Sequence, residues 1–251
     1  TIPNYPLETQ RKIGEELDVL ESIREKRRNS IELLGELTQS VFLDMFGDPR
    51  ANEKGWPVKE FGDITESLRY GTSNKSSSSG NPALRIPNVV SGDLNLTEIK
   101  NVPASAAELE RLRLRDGDLL FVRSNGNPDY VGRCAIFDQE SVAHTGHDPE
   151  SFIYASYLIR ARLNLESVEP VYVREFMLSP HGRAELKKKS KTSAGQYNLN
   201  GKGLNSIRVP IPPIELQKEF ANRVARIALT RETYQTHLSY LDELFASVQQ
   251  R

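Results

Sequence analysis

The sequence predicts an α+β protein: one mixed α/β domain with many short strands, flanked by two long antiparallel coiled-coil-like helices. Three observations predict it. First, Ile2-Pro3-Asn4-Tyr5-Pro6-Leu7-Glu8-Thr9-Gln10 recurs as Val209-Pro210-Ile211-Pro212-Pro213-Ile214-Glu215-Leu216-Gln217, offset by 207 positions (217 − 10). The match runs on without a gap, so that Ile31, Leu34, Glu36, Leu37, Ser40 and Val41 answer Leu238, Leu241, Glu243, Leu244, Ser247 and Val248. One unit of sequence thus opens and closes the chain and frames what lies between. Second, both copies place residues at alternating spacings of four and three, which averages about 3.5 and marks a coiled-coil seam. Third, the middle lacks that period and alternates short apolar runs with Gly, Pro, Asn and Asp turns, the pattern of short strands.

In order, the first helix should begin after Pro6, since proline is tolerated at a helix start and Glu8 complements the macrodipole there. Its seam reads Ile13, Leu17, Leu20, Arg24, Arg27, Ile31, Leu34, Thr38 and Val41, and Gly47-Asp48-Pro49 carries the stop signals. The second seam reads Phe220, Val224, Ile227, Arg231, Tyr234, Leu238, Leu241, Phe245 and Val248, with Arg24 and Arg231 at the same repeat position. A polar residue inside a seam costs stability and fixes register and partner choice. Helices of roughly 35–40 residues run on the order of 50–60 Å, too long for the middle domain to cover, so they need each other or a partner. The middle is expected to hold a hairpin with Val89-Val90 and Leu94-Asn95-Leu96 as its strands, and further strands at 119–122, 135–137 and 156–161. Helices are expected at 104–112 and 170–178, with a basic helix to Lys189. Two loops of small polar residues, 71–81 and 191–203, have the length that marks functional or disordered segments. The domain boundaries read as 1–50, 51–208 and 209–251.

Composition narrows the function classes. The mean hydropathy of −0.52 fits long exposed helices. No apolar run approaches a membrane span, and no secretory leader is present. The chain starts at Thr1, which reads as a processed product or a piece of a longer polypeptide. One cysteine, Cys134, excludes an internal disulfide framework and suits a reducing cytoplasm. The net charge of −1 argues against a nucleic-acid binder on average, but phosphate contact is local. From Arg183 to Lys191 there are five basic residues and one acid.

Motifs of catalysis fail on inspection. Asn127-Pro128-Asp129-Tyr130 is like the signature of amino-methyltransferases, but its third position is Asp and no Gly-rich methyl-donor turn accompanies it. Between the glycines of Gly195-Gln196-Tyr197-Asn198-Leu199-Asn200-Gly201-Lys202-Gly203 lie five residues instead of a P-loop's four, and Gly203 replaces the magnesium-binding hydroxyl. His144 and His147 lack further ligands at a metal-site spacing. The chain reads as no enzyme by itself.

Several stretches together resemble the specificity subunit of type I restriction–modification systems. Val209-Pro210-Ile211-Pro212-Pro213-Ile214-Glu215-Leu216-Gln217 is similar to the start of that family's conserved helices, and Phe42-Leu43-Asp44-Met45-Phe46-Gly47-Asp48-Pro49 to the exit from one. Trp56-Pro57-Val58-Lys59-Glu60-Phe61-Gly62-Asp63-Ile64 resembles the opening of a target recognition domain. The resemblance covers nearly the whole chain. It implies a non-catalytic subunit whose recognition domain, 51–208, reads one half of a split duplex-DNA target and whose helices, 1–50 and 209–251, pack as a spacer and dock methyltransferase subunits. It also implies a restriction/translocase subunit as a partner. S-adenosylmethionine and ATP would be held by partner subunits, with no cofactor in this chain and no metal. The family commonly has two recognition domains; this chain has one, so it resembles a C-terminal half or a half-sized subunit that dimerises.

Chemistry selects the candidate readers, because Arg, Asn and Gln suit base edges while Lys, Arg, Ser and Thr suit phosphates. They fall in three groups: Tyr70, Thr72, Ser73, Asn74 and Lys75; Arg123, Ser124, Asn125 and Asn127; and Lys187, Lys188, Lys189, Lys191, Thr192, Ser193, Gln196, Tyr197 and Asn198. For partner docking the seam offers Leu17, Leu20, Arg24, Ile31 and Leu34 with Val224, Ile227, Arg231, Leu238 and Leu241. The rival readings are a coiled-coil adaptor that binds protein and not DNA, and a fragment of a methyltransferase or nuclease.

Overall fold

The computed structural model of the chain describes residues 5–193 and 195–250; the start of the first repeat copy, residues 2–4, and the Ser193 side chain lie outside the described residues. Two compact units result: one comprises the chain up to Asp44 together with the chain from Asn222 onward, and the other is Met45–Ala221.

The first unit is built from α1 (Leu7–Phe46) and α8 (Ile214–Gln249). Both copies of the repeat begin their helix with the same bonds. The Pro6 carbonyl accepts from Thr9 N and Gln10 N, and the Pro213 carbonyl from Leu216 N and Gln217 N. The four-three spacing turns one stripe of each helix inward, and every seam position named above is buried or half-buried. Arg24 Nε donates to Asp242 Oδ1 at 2.6 Å, and its guanidinium lies 4.3 Å from the Phe245 ring centroid. Arg27 lies 4.1 Å over Tyr234. An early residue of α1 facing a late residue of α8 makes the pair antiparallel. A seam arginine is tolerated because its planar cation stacks on aromatic faces while its N–H groups take carboxylates.

The second unit opens with Gly47 at φ 79°, a left-handed turn that ends α1. Next come β1 (Val58–Glu60), a 3-10 turn (Phe61–Ile64), β2 (Thr65–Tyr70), β3 (Asn81–Leu84), α2 (Ile86–Val89), β4 (Lys100–Val102) and α3 (Ala106–Leu112). The chain continues through β5 (Leu119–Val122), β6 (Ser124–Asn125), β7 (Cys134–Ile136), α4 (Gln139–Ala143), β8 (Ile153–Tyr154) and β9 (Leu158–Leu163). It closes with α5 (Pro170–Leu178), α6 (Pro180–Lys189), β10 (Lys191–Ser193), β11 (Gln196–Asn198), α7 (Gly201–Asn205) and β12 (Arg208–Pro210).

A four-stranded antiparallel sheet, β2-β9-β5-β7, carries the core. Leu120, Val122, Ala135 and Leu158 pack with Leu84, Phe137, Phe152 and Ile153, all fully buried. The sheet β4-β3-β8 joins parallel and antiparallel neighbours. The expected hairpin at 89–96 does not form. Asn88 is buried; its amide nitrogen donates to the carbonyls of Asn95 and Glu98, and its Oδ1 accepts from Arg85 N. That side chain folds 95–98 around itself, so the backbone needs no cross-strand partner. The strand expected at 156–161 starts later and runs to Leu163, and the loop 191–203 contains β10, β11 and α7.

The second repeat copy is bound into this unit. β12 pairs with β1, Tyr172 Oη donates to Pro210 O at 2.7 Å, and Phe46 stacks edge-on against Tyr172 and Phe220. Gln217, fully buried, accepts from Glu169 N at 3.0 Å and donates to Pro212 O at 2.7 Å. Ser179 joins α5 to α6. Its hydroxyl donates to Phe176 O and accepts from Gly182 N, and a Cβ on Gly182 would lie 2.1 Å from Phe176 O.

Candidate nucleic-acid interface

The fully buried β5 leads into Arg123, which is half-buried. Its backbone is tied on both sides: Arg123 N donates to Tyr157 O and Arg123 O accepts from Leu199 N, each at 2.8 Å. Its guanidinium lies 4.6 Å over the Tyr70 ring, and Nη1 donates to Ser156 O at 3.3 Å. Tyr70 is fixed in turn, with its hydroxyl accepting from Gly201 N at 2.9 Å. The next residue must be glycine, because a Cβ on Gly71 would stand 2.1 Å from Tyr154 O and 2.4 Å from Ala155 O. Segments around residues 70, 123 and 200, far apart in sequence, therefore meet at one arginine.

Beside it β6, β11 and β10 form a three-stranded antiparallel ribbon in which Tyr197 faces Asn125, Asn198 faces Ser124 and Lys191 faces Asn198. The second and third candidate groups thus share one small sheet. Beyond β6 the chain turns through side-chain caps, Asn125 Oδ1 accepting from Asn127 N and Asn127 Oδ1 from Asp129 N. Arg183 clamps that turn by donating to the carbonyls of Asp129 and Val131. Burial and the neighbouring Arg133 pull its pKa down. Lys187 stands 3.8 Å from Asp129, and Lys188 pairs with Glu185 at 2.6 Å, holding that carboxyl below its usual range.

Lys191, Thr192 and Gln196 are exposed, while Lys189, Tyr197 and Asn198 are half-buried. Ser73 and Lys75 are exposed in the first loop, but the Asn74 amide turns away to Pro103 O and Glu108. Thr72 and Ser124 are interior, at 4% and 8% exposure, and the Thr72 hydroxyl accepts from Asn74 N. Both side chains are buried, unlike the exposed members of their groups. Sequence reasoning missed Tyr157, 59% exposed beside Arg123. It was hidden inside the apolar run read as a strand. Among the described residues no group of three His, Cys, Asp or Glu side chains is placed to hold a metal. Cys134 is buried, which pushes its thiol up to about 12.

The fold of the chain matches solved type I restriction–modification S subunits. The HsdS subunit from Thermoanaerobacter tengcongensis matches with a TM-score of 0.55 at 21% identity, covering 99% of this chain and 59% of that one. The S subunit from M. genitalium matches with a TM-score of 0.56 at 13% identity, covering 96% and 60%. In sequence, the EcoKI specificity subunit of Escherichia coli K12 is 30% identical over 252 residues, 95% of this chain and 53% of its own length. The MjaX specificity subunit described for Methanocaldococcus jannaschii is 27% identical over 169 residues, 66% of this chain and 38% of its own. No protein-family profile matches. The chain belongs with the specificity subunits of type I restriction enzymes and spans about half the length of the curated relatives it matches. No helix among the described residues is long and apolar enough to cross a membrane.

Proposed function

We propose that the chain is a sequence-reading, non-catalytic component of a type I restriction–modification complex, with the Met45–Ala221 unit reading one half of a split duplex target. The convergence of Tyr70, Arg123 and the Ser124-to-Asn198 ribbon on one surface carries this reading, since it joins base-edge chemistry to a neighbouring lysine run. Methyl transfer and ATP use belong to partner subunits, which supply S-adenosylmethionine and ATP sites; a restriction/translocase subunit completes the set. A pure adaptor is disfavoured, because it has no use for such a surface.

The repeat supports a second recognition domain in the assembly. Gln10 Nε2 donates to Tyr5 O at 2.8 Å, five residues back, as Gln217 does to Pro212 O. Gln217 also grips Glu169 of the mixed unit, whereas Gln10 is exposed beside an exposed Tyr5 and an 82%-exposed Leu7. The first copy is thus shaped for a domain that a second chain, or further sequence, would bring. For methyltransferase docking the helix pair offers a different set from its seam. Leu33 and Leu37 are exposed, as are their repeat equivalents Tyr240 and Leu244. A groove of about 530 Å³ joins the exposed Val19 and Leu244 to the seam residues Leu20 and Val248.

Co-expression with a type I methyltransferase subunit, followed by mapping of methylated adenines, tests the proposal. Methylation at one split motif, an inverted repeat if two copies assemble, is the expected outcome. Absence of both methylation and salt-dependent duplex binding would return the adaptor reading.

A further inference from the structure

Taking the DNA-reading role as given, we infer that Arg123 specifies a guanine through the fork of its guanidinium. Arginine paired to guanine O6 and N7 is the commonest specific base contact in a major groove. Such a contact needs a guanidinium that is held in place, uncompensated and at the surface. Most arginines of the mixed unit fail one of these conditions. Arg162 is bound to Asp118 at 2.7 Å, Arg174 to Glu175 at 2.7 Å, Arg113 to Glu150 at 3.0 Å and Arg85 to Glu98 at 3.4 Å. Arg183 donates to backbone carbonyls of a turn, and Arg160 is 2% exposed.

Arg123 meets the first two and is half-buried, not enclosed as Arg160 is. No carboxylate among the described residues lies within ion-pair distance of it. It follows a buried strand, its backbone is bonded on both sides, and the Tyr70 ring and Ser156 carbonyl hold its side chain. Ser156 takes one of five guanidinium N–H groups, which leaves enough donors for two base acceptors. Holding the fork in advance removes most of the ordering cost that a free arginine pays on contact. Lysine at this place keeps the charge and loses the fork.

Selection from a random-duplex library at low salt, with the full chain and with Arg123→Lys, tests the assignment. The wild type should enrich a consensus containing a G·C pair that becomes degenerate in the variant, the other positions being unchanged. Affinity for the consensus should fall on the order of 10- to 100-fold, with non-consensus binding nearly constant. Replacing that guanine by 7-deazaguanine, which lacks N7, should weaken the wild type and leave Arg123→Lys unaffected. The wild-type half of this arm does not depend on the variant folding. An unchanged consensus, an equal loss at every position, or wild-type indifference to 7-deazaguanine overturns the inference while leaving DNA reading intact. If the wild type enriches no consensus at all, the DNA-reading proposal itself falls, and the assignment with it.

Discussion

Replacing Gln217 by methionine should destabilise the mixed unit, and the same change at its repeat equivalent Gln10 should not. Methionine conserves volume and flexibility, so the loss isolates the amide. Two groups lose their partner: the Glu169 N–H, bonded at 3.0 Å, and the Pro212 carbonyl, bonded at 2.7 Å, around a side chain with no exposure. A buried polar group left unsatisfied costs about 1–3 kcal/mol, so the pair is worth about 2–6 kcal/mol together. At about 2–4 °C per kcal/mol for a chain of this size, the unit should melt roughly 4–24 °C lower. Gln10 is exposed with one such bond, and its loss should stay within about 0.5 kcal/mol. The chain has two compact units, which can melt in separate transitions. Hydrogen exchange at the Glu169 amide and through the start of α5 reads the local effect directly. Equal costs at the two positions, or less than about 1 kcal/mol at Gln217, would refute the reasoning.

Four further outcomes follow from the structure. Burial pushes the Glu169 carboxyl above its ordinary value, against a backbone N–H from Val171. Its ionised form is therefore disfavoured in the folded state, so stability present in acid is lost as pH rises above the ordinary carboxylate range. Urea midpoints of Glu169→Gln should match the wild type in acid and exceed it near neutrality. The Cys134 thiol, raised to about 12, should resist alkylation at pH 8 in native protein and react once urea unfolds it. Lys188→Ala and Lys189→Ala should weaken duplex binding alike on all sequences and flatten its salt dependence in a filter-binding series. Leu37→Glu and Leu244→Glu should each abolish co-purification with a methyltransferase subunit while leaving duplex affinity unchanged.

The helices were legible in the sequence because one interaction dominates them. A 3.5-residue period forces Ile31 and Leu238 inward whatever their wider surroundings, and Gly47 stops α1 by its backbone freedom alone. In the mixed unit the helices at 170–178 and up to Lys189 were legible, and among the strands the one buried on both faces, 119–122, was the plainest. At 89–96 local apolarity favoured a hairpin, but the decision lay with Asn88, whose amide bonds to carbonyls seven and ten residues away. The candidate surface was found as three separate groups because residue chemistry is local. Their meeting at Arg123 depends on a tyrosine 53 positions earlier (123 − 70) and a glycine amide 131 positions from that tyrosine. No period in the sequence encodes such contacts. Tyr157 was missed because its neighbours, not its own type, decide whether it faces the core or solvent.

The shared hydroxyl of Ser179 has a consequence for the lysines at the far end of α6. With one side chain closing α5 and opening α6, and no room for a Cβ at Gly182, the basic helix cannot swing as a loose arm. Lys187, Lys188 and Lys189 are then a rigid fan, successive side chains pointing about 100° apart on a helix of 3.6 residues per turn. A single phosphate backbone lies to one side of such a fan, so the lysines cannot all displace counterions from the same strand. Removing them together should lower the salt exponent by clearly less than the roughly 0.9 per contact that three independent phosphate contacts would give.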